Sequence, residues 1–262
     1  MINTLSLMEK EIITADKPEP DAKSFELIAI KGRLVDATPL VKQQVYLQLQ
    51  NFLRPKQAET YSLHLPLDGF VNRFIKRSGD LLFSTIIIAG LLSWLIPLIA
   101  LAIKIDSKGP VFFLQKRNKR NGDIFTCIKF RSMIINEDAD TSAATVDDNR
   151  ITQLGKFLRN HFLDELPQFF NVWLGDMSLI GPRPHMIHDN IKYEELIEYY
   201  DYRHRAKPGI TGLAQVLGYV GEITSIQRMK DRVQLDIFYI RHWSLKMDTR
   251  IFLRTFPRFW GL

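Results

Sequence analysis

An uncharged apolar run of 23 residues, LLFSTIIIAGLLSWLIPLIALAI, extends from Leu81 to Ile103 and constrains the fold more than any other feature of this sequence. As a straight α-helix the run would reach about 35 Å, whereas the hydrocarbon core of a bilayer is about 30 Å thick. The length therefore predicts a helix in contact with lipid, and a buried helix of a water-soluble protein is the weaker alternative.

Pro97 and the charges beside the run indicate how this helix meets the membrane. Proline lacks an N–H and its ring collides with the carbonyl of Ser93, so we expect a bend there, with the Ser93 hydroxyl helping to satisfy freed backbone groups. Both flanks are basic, and the positive-inside rule favours the cytoplasmic side for such flanks. We therefore predict a re-entrant helix bent near Pro97, with a complete crossing as the alternative. The flanking cations are Arg73, Lys76 and Arg77 before the run and Lys104, Lys108, Lys116, Arg117, Lys119 and Arg120 after it.

Composition and charge exclude several classes of protein. The chain is 46% hydrophobic and 24% charged, which is ordinary globular usage and excludes a disordered chain or a transporter with many spans. A single cysteine, Cys127, excludes an internal disulfide and a four-cysteine metal site. Residues 71–262 hold 27 Lys and Arg against 20 Asp and Glu, a net charge of +7 that suits nucleic acid, anionic lipid or phosphorylated substrates.

The sequence divides into three regions. Residues 1–70 have a net charge of −1 and no recognisable chemistry, and we interpret them as an N-terminal extension of regulatory or docking type. Residues 71–108 form the membrane helix. Residues 109–262 form the main domain, which opens with two alternating segments, GPVFFLQKR and DIFTCIKFRSM, predicted to pair as a β-hairpin with a turn at Asn121-Gly122. Within the extension we expect a short strand at 25–30 and a helix at about 39–54, and the acidic segment 137–149 is predicted to be a surface loop.

Most of the residues that suggest chemistry lie in ITQLGKFLRNHFLDELPQFFNVWLGDMSLIGPRP, residues 151–184. We predict a helix that ends before Phe162, an N-cap at Asp164 and a second helix that has Pro167 in its first turn. For an Asp-Glu pair, capping and complementarity to the helix dipole are the ordinary interpretation. The predicted buried face of the second helix consists of Leu166, Phe169, Phe170 and Trp173.

Asp164 and Glu165 also have a catalytic interpretation. Adjacent helical residues point about 100° apart, so the two carboxylates suit different roles beside one reacting centre, one attacking a phosphate and the other holding a metal. An attacking carboxylate meets the like charge of the phosphate, so cations must lie near, and Arg159 and Arg183 are candidates. Mg²⁺ needs few carboxylates when phosphate oxygens complete its shell.

The pattern leaves two later segments open. The Gly- and Pro-containing segment 203–215, which includes Arg203, Arg205 and Lys207, fits either a phosphate-binding loop or an ordinary surface turn. Residues 236–260 alternate aromatic and basic side chains, which fits equally a helix in the lipid headgroup region and a core helix with a solvated face.

Taken in order, six motifs resemble one family closely, the bacterial sugar transferases, which are monotopic phosphoglycosyl transferases or polyprenyl-phosphate sugar-1-phosphate transferases. The similarity covers about residues 74–256. The motifs are KRSGDLL, GPVFFLQKR, FTCIKFRSM, LDELPQFFNVWLGDMSLIGPRP, KPGITGLAQ and DIFYIRHWSLKMD.

The resemblance implies a helix-rich α+β domain on the cytoplasmic face of the bacterial inner membrane, with C-terminal helices at the membrane interface and Mg²⁺ as cofactor. It implies that Asp164 attacks a UDP-sugar, that UMP leaves, and that polyprenyl (undecaprenyl) phosphate takes the sugar phosphate from a phosphosugar–aspartyl intermediate. Glu165 would bind Mg²⁺. Phosphate contacts would come from Arg159, Arg183 and Arg205, and from Lys129 and Arg131.

The implied reaction is the first membrane step of exopolysaccharide, O-antigen, capsule or glycoprotein glycan assembly, with membrane lipid and downstream glycosyltransferases as partners and no nucleic acid. Three departures bear on the nucleotide or sugar contacts. Lys119 stands where the family usually has glycine, and Leu217 and Tyr219 replace the usual Asn and Arg. The sequence does not name the sugar.

Two other functions compete with the transferase. A non-catalytic assembly protein of an envelope-polysaccharide system is disfavoured because the Asp-Glu and Pro-Arg-Pro motifs are intact. A membrane-tethered nucleic-acid binder is permitted by the basic charge, but the sequence carries no helix-turn-helix, zinc or RNA-binding signature.

Overall fold

The computed structural model describes residues 64–135, 148–221, 223 and 225–259, with side chains up to Thr255. The strand predicted at 25–30, the helix at 39–54 and residues 137–147 of the acidic segment lie outside the described residues. Everything below concerns the described part of the chain.

The apolar run lies in a helix longer than the run itself. After a 3₁₀ turn at Pro66–Asp68, helix α1 covers Phe70–Asp106, 37 residues with a mean hydropathy of 2.6 in its most apolar stretch, which is long and apolar enough to cross a membrane. It is α-helical over Phe70–Ile86, π-helical over Ile87–Leu92 and α-helical again over Ser93–Asp106.

The irregular turn of α1 precedes Pro97. The N–H of Ser93 bonds the carbonyl five residues back, at Ile88, which is the π-helical pattern. The Ser93 hydroxyl donates to the carbonyl of Ala89 at 2.7 Å, and the indole N–H of Trp94 donates to the carbonyl of Gly90 at 2.9 Å. The helix continues through Pro97, and the re-entrant bend remains a prediction.

One face of α1 is covered by the rest of the folded unit from near its start to near its end. The opposite face exposes large apolar side chains, which an aqueous surface would not favour. Helix α1 therefore lies against the domain along this length instead of projecting from it. Buried residues on the covered face are Asp80, Ser84, Leu92, Ile99 and Ile103. Exposed residues include Leu82, Ile86, Trp94, Leu98 and Leu101.

Three charged side chains near the start of α1 fix it to the domain. Lys76 Nζ lies 2.7 Å from Asp248 Oδ2. Arg77 donates to the carbonyls of Val172 and Trp173 at 2.6 and 2.7 Å. The carboxylate of Asp80 accepts from Ser178 Oγ at 3.0 Å and from the N–H of Leu179 at 2.9 Å. The motif KRSGD thus places α1 against three separate segments of the domain.

The predicted β-hairpin is confirmed. Strands β1 (Phe112–Asn118) and β2 (Ile124–Phe130) pair antiparallel, from Phe112 opposite Phe130 to Asn118 opposite Ile124. The turn contains Asn121 with a φ of 63°, a left-handed conformation that Asn tolerates better than most residues. The hairpin sits beside the last turns of α1, where Phe130 packs with Ile99 and Ile103.

The remaining described elements are mostly helical, so the fold is helix-rich α+β, as predicted. The helices are α2 (Gln153–Asn160), α3 (Gln168–Leu174), α4 (Ile187–Leu196), α5 (Leu213–Val216), α6 (Ile226–Arg241) and α7 (Leu245–Phe259), with 3₁₀ turns at Leu163–Glu165 and Tyr200–Arg205.

Within the Gly- and Pro-containing segment 203–215, residues Gly209–Thr211 form a strand and not a surface turn. Strand β4 (Gly209–Thr211) pairs parallel with β3 (Ser178–Ile180). A Cβ on Gly209 would lie 2.1 Å from the backbone nitrogen of Gly181, and a Cβ on Gly212 would lie 2.2 Å from the Gly181 carbonyl oxygen. Glycine at positions 209 and 212 therefore lets the backbone of the KPGITGLAQ motif approach the backbone at Gly181 closely.

One prediction about a helix face needs correction. Trp173 is 49% exposed, and the buried face of α3 is formed by Gln168, Asn171 and Val172. The Asn171 amide can be buried because it accepts from the N–H of Ile128 at 3.0 Å and donates to the carbonyl of Thr126 at 2.8 Å, which ties α3 to β2.

The segment 236–260 contains two helices with a break before Leu245. Helix α6 is a core helix, because buried side chains recur along it. The buried side chains of α6 are Met229, Arg232, Val233, Leu235, Asp236, Phe238, Tyr239 and Ile240. Helix α7 has a buried face with Met247, Asp248 and Ile251 and exposes Leu245 and Leu253, so a place at the membrane interface remains a prediction for it.

Candidate active site

Local backbone geometry brings Asp164 and Glu165 into the interior. The hydroxyl of Thr152 caps α2 by accepting from the N–H of Gly155 at 2.9 Å, and α2 ends at Asn160, as predicted. Phe162 then has a φ of 55°, which reverses the chain into the 3₁₀ turn that carries both carboxylates. The predicted N-cap role of Asp164 is wrong, since Phe162 precedes the 3₁₀ turn and Pro167 precedes α3.

Glu165 is a buried, fully ionised carboxylate held by two cations. Its Oε1 lies 2.7 Å from Lys129 Nζ and 2.5 Å from Arg183 Nη2, and its Oε2 accepts from Arg183 Nη1 at 3.1 Å. Burial by itself opposes ionisation of Glu165, but the charges and hydrogen bonds of Arg183 and Lys129 outweigh it and hold the pKa of Glu165 well below its ordinary value.

Asp164 has the opposite character. It is 8% exposed, and no hydrogen bond or ion pair joins its carboxylate to another residue in the described part of the chain. Burial, opposed by Lys129 and reinforced by the charge of Glu165, raises the pKa of Asp164 to about 6. A carboxylate that is poorly stabilised as an anion and has free lone pairs is a better nucleophile than an ion-paired one.

Asp164 opens onto a cavity of about 630 Å³. Seven of the lining residues are Lys or Arg and two are Asp, so the cavity has a large excess of positive charge that suits a ligand with several phosphates. The apolar lining residues include Phe112, which packs against the cluster that contains Ile103 of α1. The polar lining residues include Gln115, Arg117, His185, Asp189 and Arg232.

The structure brings together most of the predicted site residues. Lys129, Arg159 and Arg183 line the cavity with Asp164. Arg131 also lines it, but its guanidinium donates to the carbonyls of Ser107 and Lys108 at 2.7 and 2.6 Å. Arg131 therefore holds the chain that follows α1, and a phosphate contact for it stays a prediction.

Arg205 lies apart from this group. It is not among the residues that line the cavity, its side chain is 49% exposed, and its guanidinium is 3.8 Å from Asp68. The buried arginine of this segment is Arg203, which pairs with Asp236 at 2.7 Å and donates to the carbonyl of Arg183 at 2.8 Å. The sequence offered one signal for Arg203, an aspartate in the apolar face of α6 that needs a cation.

The residues present fit a site for a single Mg²⁺ that phosphate oxygens complete. No cluster of three or more His, Cys, Asp or Glu suited to a metal occurs among the described residues. Glu165 Oε2 accepts one hydrogen bond and keeps a lone pair. One carboxylate oxygen together with substrate oxygens and water matches the way Mg²⁺ is usually bound beside phosphates.

The three departures from the family pattern lie outside the residues that line the cavity. Lys119 pairs with Asp176 at 2.9 Å. Leu217 is buried. Tyr219 has the guanidinium of Arg228 over its ring at 5.7 Å. Each of these side chains has a structural environment of its own, away from the two carboxylates.

Comparison with known proteins gives a consistent assignment. A family model described as bacterial sugar transferase matches residues 71–261. The chain is 47% identical over 196 residues to a UDP-glucose:undecaprenyl-phosphate glucose-1-phosphate transferase of Klebsiella pneumoniae, covering 74% of this chain and 42% of that protein. Proteins with the same name from Xanthomonas campestris pv. campestris and Caulobacter vibrioides are 49% and 44% identical, over 71% and 70% of this chain and 39% and 68% of theirs. The chain thus spans less than half the length of the first curated relatives it matches.

Proposed function

Because this chain belongs to the bacterial sugar transferase family, we propose that it transfers a sugar 1-phosphate from a UDP-sugar to undecaprenyl phosphate. The observation that carries the proposal is the contrast between the two neighbouring carboxylates. Glu165 is neutralised by Lys129 and Arg183, while Asp164 faces a cationic cavity with its oxygens free.

In the first step, an oxygen of Asp164 attacks the sugar-bearing phosphorus of the UDP-sugar. The bond from that phosphorus to the bridging oxygen breaks, and the bridging oxygen leaves with its electron pair as part of UMP. A phosphosugar–aspartyl intermediate remains. Arg159, Arg183 and Lys129 line the cavity and reduce the repulsion between the attacking carboxylate and the phosphate.

In the second step, a phosphate oxygen of undecaprenyl phosphate attacks the same phosphorus. The bond between that phosphorus and the Asp164 oxygen breaks, which returns the carboxylate and gives a polyprenyl diphosphate sugar. The covalent intermediate lets one site use a soluble donor and a lipid acceptor in turn. The product is a substrate for glycosyltransferases that extend a lipid-linked glycan.

Glu165 is the residue that would hold Mg²⁺ with the donor phosphates, which leaves the oxygens of Asp164 for the attack. When bound, the ion supplies positive charge to phosphate oxygens and orients the leaving group. Glu165 keeps Arg183 and Lys129 in place at the same site, since both side chains donate to its carboxylate, in three hydrogen bonds.

We further propose that α1 enters and leaves the cytoplasmic leaflet of the bacterial inner membrane without crossing it. Lys76 near its start bonds Asp248, and Ile103 near its end packs in a cluster with Leu158 of α2. In a straight helix these two positions would be about 40 Å apart, on opposite sides of a bilayer core of about 30 Å. Contact of both with one folded unit, together with basic flanks, supports a monotopic arrangement.

Cysteine labelling tests the membrane arrangement. Cys127 is fully buried and burial raises the pKa of its thiol, so the wild-type protein gives little background. Val71→Cys and Lys108→Cys place thiols at exposed positions on either side of the apolar run. Neither should react with an impermeant maleimide on intact cells, and both should react after lysis. Labelling of either from outside contradicts the re-entrant path.

A panel of UDP-sugars, beginning with UDP-glucose, tests the reaction. The full chain in detergent or nanodiscs with Mg²⁺ should release UMP from the correct donor, and it should retain labelled sugar phosphate when the acceptor is omitted. Digestion and mass spectrometry should place the label on Asp164. A labelled protein with an unmodified Asp164, or wild-type protein that releases no UMP from any donor, contradicts the proposal.

A further inference from the structure

Arg232 is a buried cation that has no acidic partner in the described part of the chain. Its side chain projects from α6, is 4% exposed and lines the cavity. The guanidinium contacts His185 Nε2 at 3.3 Å and the carbonyl of Gly221 at 3.4 Å, and its Nε has no hydrogen-bond partner among the described residues. Asp236, one turn further along the same helix, is bonded to Arg203 at 2.7 and 3.2 Å.

The surroundings of Arg232 make its charge unfavourable in the free protein. Burial, together with the charges of Arg203 and Arg183, lowers the pKa of Arg232 to about 10. The adjacent imidazole gives no compensating charge, because burial and the arginines around it hold the pKa of His185 well below its ordinary value. Buried cations are normally paired, so an unpaired one facing a cavity indicates a place where a ligand supplies the anion.

The position of Arg232 relative to Arg183 indicates which anion of the ligand it binds. His185, which contacts Arg232, lies two residues after Arg183, which contacts Glu165 beside the nucleophile. Two residues span at most about 7 Å, so the backbones of Arg183 and His185, which carry these two contacts, lie close together. The two phosphates of a nucleoside diphosphate share one bridging oxygen, so cations at neighbouring positions match neighbouring phosphates.

We propose that Arg232 binds the nucleotide phosphate of the donor, the one that leaves with UMP, while Arg183 and Lys129 serve the phosphate that Asp164 attacks. This inference rests on the proposed function. When the bond to the bridging oxygen breaks, that oxygen keeps the electron pair and the nucleotide phosphate gains a negative charge. Arg232 stabilises that charge, and no proton from the protein is needed. The acceptor's phosphate has the same chemistry, so the test must separate the two half-reactions.

The test compares Arg232→Gln with wild type in the full chain, with Lys230→Gln on the same helix as a control that removes one positive charge outside the cavity lining. Three quantities are measured: UMP release without acceptor, inhibition by added UMP, and transfer from preformed intermediate to undecaprenyl phosphate. For Arg232→Gln we expect UMP release and UMP inhibition each to weaken at least tenfold, as for loss of a charge-assisted contact of about 1.5–3 kcal/mol. Transfer to the acceptor should change less than about threefold.

Thermal unfolding distinguishes a binding role from a structural one. Without ligand, Arg232→Gln should unfold at the same or a higher temperature than wild type, because an unpaired buried charge is removed. With UMP, wild type and Lys230→Gln should be stabilised and Arg232→Gln should not, and Arg232→Lys should recover part of the effect. This readout does not depend on turnover.

Three outcomes overturn the inference. UMP inhibition and stabilisation that persist in Arg232→Gln show that the nucleotide phosphate is held elsewhere. Slower transfer to undecaprenyl phosphate with normal UMP release assigns Arg232 to the acceptor. Unfolding at a markedly lower temperature with all steps equally impaired assigns it to the core. If the wild-type protein releases no UMP, the proposed function itself is wrong, and this result differs from each of the three outcomes above.

Discussion

Glu165 takes the two cations that would otherwise stabilise Asp164. Lys129 and Arg183 lie within 2.7 Å of Glu165 Oε1, whereas neither lies within ion-pairing distance of the Asp164 carboxylate. The pKa of Glu165 is depressed and that of Asp164 is raised, although the two are adjacent in one 3₁₀ turn. Environments that push the pKa values of two carboxylates apart suit them to different roles, which supports the proposal that Glu165 organises charge and Asp164 reacts.

The rate of UMP release should fall in acid with a midpoint near pH 6. Only ionised Asp164 attacks, and burial raises its pKa to about 6, so the reactive fraction falls about tenfold for each pH unit below that value. At UDP-sugar concentrations well below KM, where the rate reports the free enzyme, the initial rate at pH 5 should be about one tenth of that at pH 7.5. A rate that stays level down to pH 5 is incompatible with Asp164 as the titrating nucleophile.

Asp164→Asn should abolish UMP release and the covalent adduct while raising stability at pH 7.5. A carboxyl whose pKa is raised on folding contributes stability at low pH that is lost as the pH rises from about 4 through 6. At pH 7.5 the buried charge therefore costs on the order of 1–3 kcal/mol, which the amide avoids. Thermal unfolding should show a midpoint several degrees higher, about 2–4 °C per kcal/mol.

The exposed Asp201→Asn is the matched control for this substitution, with unchanged activity and unfolding temperature. The stability difference between Asp164→Asn and wild type should shrink as the pH is lowered from 6 to 4. Full activity of Asp164→Asn, or a loss of stability at pH 7.5, would contradict the roles assigned here.

Glu165→Gln should impair both activity and stability. The substitution leaves Lys129 and Arg183 without their counter-ion in a buried site, and breaking such a pair typically costs about 3 kcal/mol. The pKa of Glu165 is lowered on folding, so its contribution is present above the ordinary glutamate pKa and is lost as the pH falls. Unfolding of Glu165→Gln should therefore be less sensitive to acid than that of wild type.

A double variant tests whether the loss comes from the unpaired cation. Lys129→Met/Glu165→Gln should be destabilised by less than the sum of the two single variants, measured by thermal unfolding at pH 7.5. Additive effects would mean that the two side chains do not interact across the site.

Local features were predictable from the sequence because their causes are local. Alternating apolar residues around Asn121-Gly122 specify the hairpin, and the end of α2 before Phe162 follows from the pattern of Leu154, Phe157 and Leu158. The Asp-Glu pair and Arg183 were selected by residue type, because an attacking carboxylate near phosphate requires cations, and in the structure Arg183 pairs with Glu165.

Features that depend on distant segments were not predictable. Asn171 is buried and Trp173 exposed because the amide meets the backbone of β2, 43 residues earlier in the chain. Arg203 and Arg205 are equivalent in the sequence, and only the position of Asp236 on α6 selects Arg203 for the interior. Arg232 was missed for the same reason, since what distinguishes it is that no acid in the described part of the chain is bonded to it.

Lys76→Met should destabilise the protein by about 2–3 kcal/mol, because it leaves the buried Asp248 carboxylate without its cation. Asp248 also accepts from Tyr239 and Trp243 at 2.8 and 2.9 Å, so the loss involves α1, α6 and α7 together. Arg73→Met, one turn earlier and exposed, is the control and should leave the unfolding temperature unchanged. Equal effects of the two substitutions would mean that positive charge near the lipid, and not the pair with Asp248, is what matters.

Gly209→Ala and Gly79→Ala add the same methyl group in opposite situations. On Gly209 the new Cβ would lie 2.1 Å from Gly181 N and 2.4 Å from Thr211 O, both backbone atoms that cannot move without separating β3 from β4. We expect a loss of about 3 kcal/mol, a drop of roughly 6–12 °C in the unfolding midpoint, and reduced UMP release because Arg183 follows Gly181 by two residues. On Gly79, within α1, the new Cβ meets no heavy atom within 4 Å, so alanine should raise stability by about 0.5–1 kcal/mol through lower backbone entropy of the unfolded chain. If Gly209→Ala is tolerated as well as Gly79→Ala, then close packing of the two backbones is not the reason for glycine at position 209.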